Sequence, residues 1–550
     1  MSMLAGRRTS ARPPLFAALQ RPECYPHPVG EVRVIETHIS WVLLTGVYAY
    51  KIKKPVNLGF ADFSTLGLRG HYCQEELRLN RRFAPDLYLE VVEVRGTPIA
   101  PRVGGEGPLL DYALKMRQFP QDALAGNRLG REQLGAAEID ALAEGIAAFH
   151  ATAPVAKASG RFGSSSKIRE QALQNFEQML PLARSGPDDR LLRAARHWTD
   201  REFTLRRSAF AERRRQGFVR ECHGDLHLAN IVVLDGRPVP FDCLEFNDEL
   251  RWIDVMIEAA FLFMDLAHRG RSDLAWRFLN RYLAATGEYE GLEVFRFYAV
   301  YRALVRAKIW LLESSQREQL VPARLGRKRV FRDYLVLSER LSRPAAPALI
   351  ITHGLSGSGK TTATASLAGQ LGAIHLRSDL ERKRLHGIKP LAASGSAPGG
   401  GIYTAQANSA VYRRLGVLAQ AILDAGFPVI VDAAFLRRSE REAFRSLAEA
   451  VGVPFAILDF RAPLDVLRKR VAERSARGDD ASEAGLAVLE RQIATREPLA
   501  PAEMAVAVTL DGTGPVLPET WDPIRQSLRR AAAGVPSVRR PDRSSEPRRG

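Results

Sequence analysis

The chain has 550 residues, 46% of them hydrophobic, and a formal charge of +17. That length gives room for two to four domains of roughly 100–200 residues each, and the apolar share excludes wholesale disorder. Its cysteines, Cys24, Cys73, Cys222 and Cys243, form no CxxC pair, which excludes a disulfide framework and a zinc cluster and fits a reducing cytoplasm.

The net charge admits nucleic acid, a membrane surface or anionic substrates as partners. Part of it sits in a tail, where Ser537–Gly550 holds five Arg against one Asp and one Glu, so charge alone does not single out nucleic acid. No segment offers ~18 uninterrupted apolar residues. The longest apolar run, Val255–Leu266, is broken by Glu258 and Asp265, and the basic start has no apolar run of signal-peptide length. A soluble, cytoplasmic protein without a membrane partner is expected.

In chain order, residues 1–30 read as a flexible lead. Val32–Ile35 and Ser40–Lys53 read as strands meeting in a hairpin, His71–Phe83 as a helix, and Leu87–Val94 and Tyr112–Phe119 as further strands. A mainly helical region follows from about Arg131, and His150 and Asp254 read as structural. Phe218–Asp242 is strand-like around a charged loop, with Asp235-Gly236 marking a hairpin turn. Helices continue to about Leu341, and Ser342–Pro347 is the linker. From Ala348 short apolar strands alternate with helices, the pattern of an α/β parallel sheet. Ala392–Gly401 is rich in Gly, Ser, Ala and Pro and reads as a mobile loop. The boundaries are therefore 31–341 for a first domain and 348–515 for a second, with 516–550 a C-terminal helix and a basic disordered tail.

Gly354-Leu355-Ser356-Gly357-Ser358-Gly359-Lys360-Thr361 fits GxxxxGK[ST] between an apolar strand and a helix-compatible run that starts with Thr361 and Thr362. The glycines permit a tight loop whose N–H groups point at phosphate oxygens. Lys360 reaches the outer phosphates and the Thr361 hydroxyl meets Mg²⁺. About twenty residues on, Asp379 is placed to accept the acceptor hydroxyl's proton and Arg382 to hold substrate. Arg470, Arg474 and Arg477 share a helical face that would close as a lid over the transferring phosphoryl group. Asp432, at the end of PVIVD, reads either as a carboxylate for a Mg²⁺-bound water or as a strand-end cap. Residues 348 to about 512 resemble the AAA_33-type small P-loop kinases, similar to polynucleotide kinase, gluconate kinase and zeta-toxin-like enzymes. The resemblance implies an acceptor site near Asp379 and a lid near Arg474, with acceptors ranging from sugars to nucleic-acid ends.

Upstream, His223-Gly224-Asp225-Leu226-His227-Leu228-Ala229-Asn230 has the HxDLxxxN layout, and Asp242 follows after one hairpin. Phosphoryl transfer to a hydroxyl needs a proton acceptor, which Asp225 suits, and oxygen ligands for Mg²⁺, which Asn230 and Asp242 supply. In VYAYKIKK the phosphate-binding lysine is Lys51, with Lys53 on the same strand face as the alternative. Its ion-pair partner is Glu76, with Glu75 the competitor. Tyr112–Phe119 would supply the strand that meets adenine. Residues 30–330 resemble the aminoglycoside phosphotransferase and choline-kinase-like family. THISWVLLTG, YKIKKPVNLGF and FNDELRWIDV look like the bacterial subgroup in which this domain is fused to the P-loop domain. The resemblance implies an α+β protein-kinase-like domain with Asp225 as base and Asn230 and Asp242 on Mg²⁺, followed by the α/β P-loop kinase domain with its mainly parallel sheet. The loop before Lys51 departs from the wider pattern, having Gly46 in place of GxGxxG. No acidic pocket for a polycationic antibiotic is found in the sequence. The expected function is a bifunctional phosphotransferase using ATP and Mg²⁺ on small-molecule hydroxyls. A polynucleotide-end kinase, or a regulatory ATP-binding protein with one inactive half, is the alternative.

Overall fold

The computed structural model describes residues 13–526 and 528, apart from 60, 158, 184–185, 316–320, 344–345, 391, 397–399, 478–480 and 515–517. The linker at its centre, part of the 392–401 loop and nearly all of the basic tail lie outside the described residues. Two compact units form: 1–282 with 294–342, and 283–293 with 343–550.

The N-terminal unit opens with helix α1 (Pro14–Ala18). Its sheet contains β1 (Arg33–Glu36), β2 (Ser40–Leu44), β3 (Tyr48–Lys53), β4 (Tyr88–Thr97), β5 (Ala100–Val103) and β6 (Leu109–Arg117) in the order β1-β2-β3-β6-β4-β5. The apolar stretch 40–53 is two strands rather than one, because a turn at Thr45–Val47 with Gly46 at φ +97° reverses the chain. The lead is not flexible over its described part. Phe16 stacks on Trp41 at 4.4 Å, and Leu19, Cys24 and Tyr25 are buried on the same sheet face, so apolar burial ties the segment down.

Helix α2 (Leu66–Asn80) is capped by Thr65, whose hydroxyl accepts from Leu68 N, and it packs on β4 and β6. The helices α3 (Ala125–Gly130), α4 (Ala136–Thr152), α5 (Ser165–Ala183) and α6 (Pro187–Arg215) lead to β7 (Val219–Glu221). The hairpin β8 (Ile231–Leu234) and β9 (Arg237–Pro240) turns through Asp235 and Gly236, both at positive φ. After α7 (Asp248–Arg251), β10 (Trp252–Asp254) pairs with β7, and Asp254 caps α8 (Val255–His268) through Met256 N. Helix α8 is buried from Val255 to Ala267, which accounts for its apolar composition. Among the described residues no helix is long and apolar enough to cross a membrane. Helices α9 (Ser272–Thr286), α10 (Leu292–Ser315) and α11 (Val321–Ser342) follow.

The second unit is built on β11 (Leu349–His353), β12 (Ile374–Arg377), β13 (Val429–Asp432), β14 (Phe455–Arg461) and β15 (Ala507–Asp511), all parallel in the order β12-β13-β11-β14-β15. The central strands are buried on both faces and read as continuous Val/Ile/Leu runs. Its helices are α12 (Lys360–Leu371), α13 (Ser378–Leu385), α14 (Ala405–Asp424), α15 (Arg438–Val451), α16 (Leu464–Arg477), α17 (Leu486–Thr495) and α18 (Pro501–Met504). The four cysteines are free and buried.

Candidate functional site

In the N-terminal unit the sheet and the charged loop bring together side chains almost two hundred positions apart. Lys51, on β3, donates from Nζ to Glu76 Oε1 at 2.6 Å and to Asp242 Oδ1 at 2.5 Å. Lys53, two positions along the same face, donates to Glu76 Oε2 at 2.7 Å and to Glu245. Both lysines thus reach Glu76, which is fully buried on α2, but Lys51 is the one that touches Asp242. Glu75 is turned away toward Arg78 and Arg251. Burial alone would raise the Asp242 carboxyl, and the Lys51 ammonium more than offsets it, holding Asp242 below the usual aspartate range.

Asp242 adopts φ +62°, a left-handed conformation that costs a non-glycine residue on the order of 1–3 kcal/mol. Two side chains hold it there. Asp242 N donates to the Tyr88 hydroxyl at 3.0 Å and Cys243 N to Asn80 Oδ1 at 2.9 Å. The loop carrying Asp225 is fixed with equal care. Asn230 Nδ2 donates to Asp225 O and Oδ2, both at 3.0 Å, and His227 Nε2 lies 3.3 Å from Oδ2. Burial pushes the Asp225 carboxyl up, while charges that include His227 and Arg306 pull it well below its ordinary value. Burial pushes the His227 imidazole down.

Beneath the loop, Glu258 accepts from Gly224 N at 2.7 Å and His223 N at 3.1 Å, and Asp265 Oδ2 accepts from Leu228 N at 3.0 Å. His150 Nε2 meets Glu258 at 2.9 Å. Burial acts to raise the Glu258 carboxyl, but these partners, His150 foremost, bring it down to about 2. The two acids that interrupt the apolar run of α8 are therefore the anchors of the charged loop. Sequence reasoning missed them, together with Glu245, Tyr88 and Asn80. Their one visible signal was two carboxylates inside an otherwise apolar helix.

In the second unit the phosphate loop joins β11 to α12. Gly354, Gly357 and Gly359 sit at φ +146°, +83° and +84°. A Cβ on Gly354 would stand 2.7 Å from Phe460 O, so the loop requires glycine there for both space and conformation. Lys360 curls back, donating to Gly354 O at 2.9 Å and Leu355 O at 2.7 Å. Among the described residues no carboxylate pairs with it, and burial brings its ammonium down to about 8, against the pull of Asp432 and Asp379. Ser356 N is taken up by Gln492 Oε1 at 2.9 Å, a partner absent from the sequence reading, while Ser358 is buried and Thr362 exposed. Asp432 ends β13, where burial raises its carboxyl and hydrogen bonds from His375 and Thr361 bring it lower than usual. His375 Nε2 lies 3.0 Å from Thr364 Oγ1 and 3.4 Å from Asp432.

Asp379 is the second residue of α13 and half-buried. Arg382, one turn on, is buried, donates to Ile402 O at 2.9 Å and stacks over Tyr403 at 5.1 Å. Arg470 approaches Gly357 O at 3.4 Å and Gly512 O at 2.5 Å, so it lies against the phosphate loop. Arg474 is turned to Ala484 O at 2.8 Å, and Arg477 is exposed at the end of α16.

Comparison with known proteins agrees with both halves. Residues 72–298 match the Phosphotransferase enzyme family and residues 349–499 match the AAA_33 AAA domain. Uncharacterized proteins of Mycobacterium tuberculosis H37Rv and Mycobacterium bovis are each 30% identical to this chain over 475 residues, spanning 85% of it and 92% of the relative. The chain belongs to the same family as these proteins, and along it the phosphotransferase-family match precedes the AAA_33 match. Among solved structures, an amicoumacin kinase complexed with AMP-PNP, Ca²⁺ and Ami is 12% identical, covering 58% of this chain and 91% of its own, with a TM-score of 0.34. A gluconokinase from Sinorhizobium meliloti 1021 is 21% identical, covering 35% and 94%, with a TM-score of 0.24. The family matches make the activity of this chain kinase-type and imply the use of ATP.

Proposed function

We propose that the chain is an ATP- and Mg²⁺-dependent phosphotransferase with two nucleotide sites, each transferring a phosphoryl group to a hydroxyl of a small acceptor. The observation that carries it is Lys51 bonded at once to Glu76 and Asp242, with Asn230 bonded to Asp225 on the neighbouring loop. A lysine held between two carboxylates keeps its charge and a fixed aim, which suits it to phosphate oxygens.

The residues fit the groups this reading requires. Asp242 and Asn230 offer the hard oxygen donors that Mg²⁺ takes. In the second unit, the half-buried Lys360 ammonium bonds neutral oxygens among the described residues, and an anion is the partner that would suit it. Bound Mg²⁺ would neutralise charge on the phosphates. Lys51 orients the phosphates at the first site, and the loop amides with Lys360 do so at the second. Asp225 or Asp379 aligns the acceptor hydroxyl and takes its proton as the new O–P bond forms. The bond from the γ-phosphorus to the bridging oxygen breaks, and ADP leaves. Arg382 holds the acceptor at the second site, and Arg470 and Arg474 approach the transferring group from α16.

Nucleotide stoichiometry and Mg²⁺-dependent ADP release test this, in the wild type and in Asp225→Asn and Lys360→Ala. Two nucleotides per chain are expected, with Asp225→Asn retaining both and Lys360→Ala retaining one. Each substitution should lower ADP release separately. A single nucleotide in the wild type, or turnover insensitive to one substitution, would make that half a binding module.

A further inference from the structure

Among the described residues seven arginines are buried: Arg69, Arg213, Arg251, Arg302, Arg306, Arg382 and Arg441. Burying a guanidinium is costly unless a carboxylate compensates it. Four obey this rule. Arg69 bonds Asp111 at 2.9 Å, Arg213 bonds Asp254 at 2.7 Å, Arg251 bonds Asp248 at 2.5 Å, and Arg441 bonds Glu503 at 2.6 Å. Arg382 breaks it and already has a role as an acceptor-holding group. The remaining exceptions, Arg302 and Arg306, lie one helical turn apart on α10, and neither forms an ion pair among the described residues.

Both stand at the loop that carries Asp225. Arg302 donates to Gly224 O at 3.1 Å, its guanidinium lying over the Phe261 ring at 4.5 Å. Arg306 lies near Tyr334, with its centre 5.9 Å from the ring, and its charge acts on Asp225, His227 and Asp265. Burial acts to lower the Arg306 guanidinium, but Tyr334 and the charges of Asp265 and Asp225 outweigh it and hold the group above its usual range. Among the described residues neither aspartate pairs with it: Asp265 is engaged by Leu228 N and Arg269, and Asp225 by Asn230 and His227. A guanidinium has five N–H donors, and the Nε of both arginines is buried without a hydrogen-bond partner. Arg269 neighbours the same loop, pairing with Asp265 at 3.3 Å.

We propose that the first site takes a hydroxyl compound bearing its own anionic group, phosphate or carboxylate, which Arg306 and Arg302 hold while its hydroxyl faces Asp225. This rests on the phosphotransferase reading above and adds the acceptor class. It is the opposite polarity to that needed for a polycationic antibiotic or a quaternary amine. The bidentate geometry of guanidinium and oxyanion supplies the selectivity. Transfer balances as before: the acceptor oxygen gains the phosphoryl group, Asp225 takes the proton, and ADP departs.

The test uses the full chain carrying Lys360→Ala, so that the phosphate loop contributes least. Inorganic phosphate, acetate and choline are titrated separately by calorimetry with AMP-PNP and Mg²⁺ present. Saturable binding of phosphate or acetate is expected, weakened about tenfold or more by adding Arg306→Met and partly restored by Arg306→Lys. Tighter phosphate binding assigns a phosphorylated acceptor, and tighter acetate binding a carboxylate. Absence of saturable anion binding up to about 10 mM, equal binding in Arg306→Met, or preference for choline overturns the proposal. If Arg306→Met fails to fold, the Arg306→Lys variant and the anion-against-choline comparison in the Lys360→Ala chain decide. Retained first-site turnover in Asp225→Asn would sink the base assignment without touching anion binding, so the two failures are distinguishable.

Discussion

Lys51 and Lys53 share a strand face and a carboxylate, yet their surroundings differ. Lys53 is 1% exposed, held between Glu76 and Glu245 and over the Phe63 ring at 5.0 Å. Lys51 is 11% exposed at its side chain and reaches Asp242. Replacing Lys53 with Met removes one of two ammoniums that serve three carboxylates, leaving Glu245 without its cation in a dry setting. Breaking a buried pair costs about 3–5 kcal/mol. At about 2–4 °C per kcal/mol, the melting temperature of the first unit should fall by roughly 6–20 °C. Lys51→Met leaves Glu76 paired with Lys53, so its thermal loss should be smaller while first-site turnover disappears. Differential scanning calorimetry and ADP release, both in the Lys360→Ala background, separate the two. If Lys53→Met abolishes turnover without lowering the melting temperature, while Lys51→Met stays active, the assignment is reversed and the reasoning fails.

Two pH dependences follow from the buried ionisable groups. The Lys360 ammonium is lowered to about 8 by burial, below its unfolded value, so the unfolded chain binds more protons between about pH 8 and 10.5 and this group's contribution to stability rises with pH across that window. Nucleotide binding has the opposite sign, because phosphate needs the ammonium. Second-site affinity should weaken between pH 8 and 9 by up to about tenfold, measured by calorimetry in an Asp225→Asn, Lys51→Met chain, and a flat profile would remove Lys360 as the titrating cation. Glu258 is held at about 2 against an ordinary 4.5, so its contribution is fully present above pH 4.5 and is lost as pH falls through the interval to 2. That contribution is on the order of 3 kcal/mol. Glu258→Gln should lower the first unit's melting temperature at pH 7 and flatten its acid dependence, with unchanged acid sensitivity as the refuting result.

The parts of the two sites that sit on contiguous motifs were legible in the sequence. GxxxxGK[ST] carries its own loop, and HxDLxxxN spans one turn of chain, so spacing alone predicts which atoms meet. The strand pattern of the second unit was legible too, because buried parallel strands are short unbroken apolar runs. What sequence spacing could not supply was the set of side chains that arrive from elsewhere. Tyr88 and Asn80 hold Asp242 in its left-handed conformation from more than 150 positions away, and Gln492 occupies the Ser356 amide from 136 positions away. The leading segment was misread for a related reason. Its Phe16, Leu19 and Tyr25 are too sparse to show a period, and their burial depends on a sheet face made later in the chain.

Buried charge ties these cases together. A carboxylate inside an apolar helix reads as an interruption until its partner is known. In α8, Glu258 and Asp265 turn out to accept backbone N–H groups of the Asp225 loop, which makes their burial tolerable and gives that loop one geometry. The same accounting applied to cations leaves Arg302, Arg306, Arg382 and Lys360 without a carboxylate in hydrogen-bond contact among the described residues, where four of the seven buried arginines are paired. Structural need does not explain that distribution, since a guanidinium used only for packing is less costly when ion-paired. On the proposed reading, all four stand where an anion would bind in phosphoryl transfer or acceptor recognition. That reading gives each site a cation whose missing ion pair the ligand would supply.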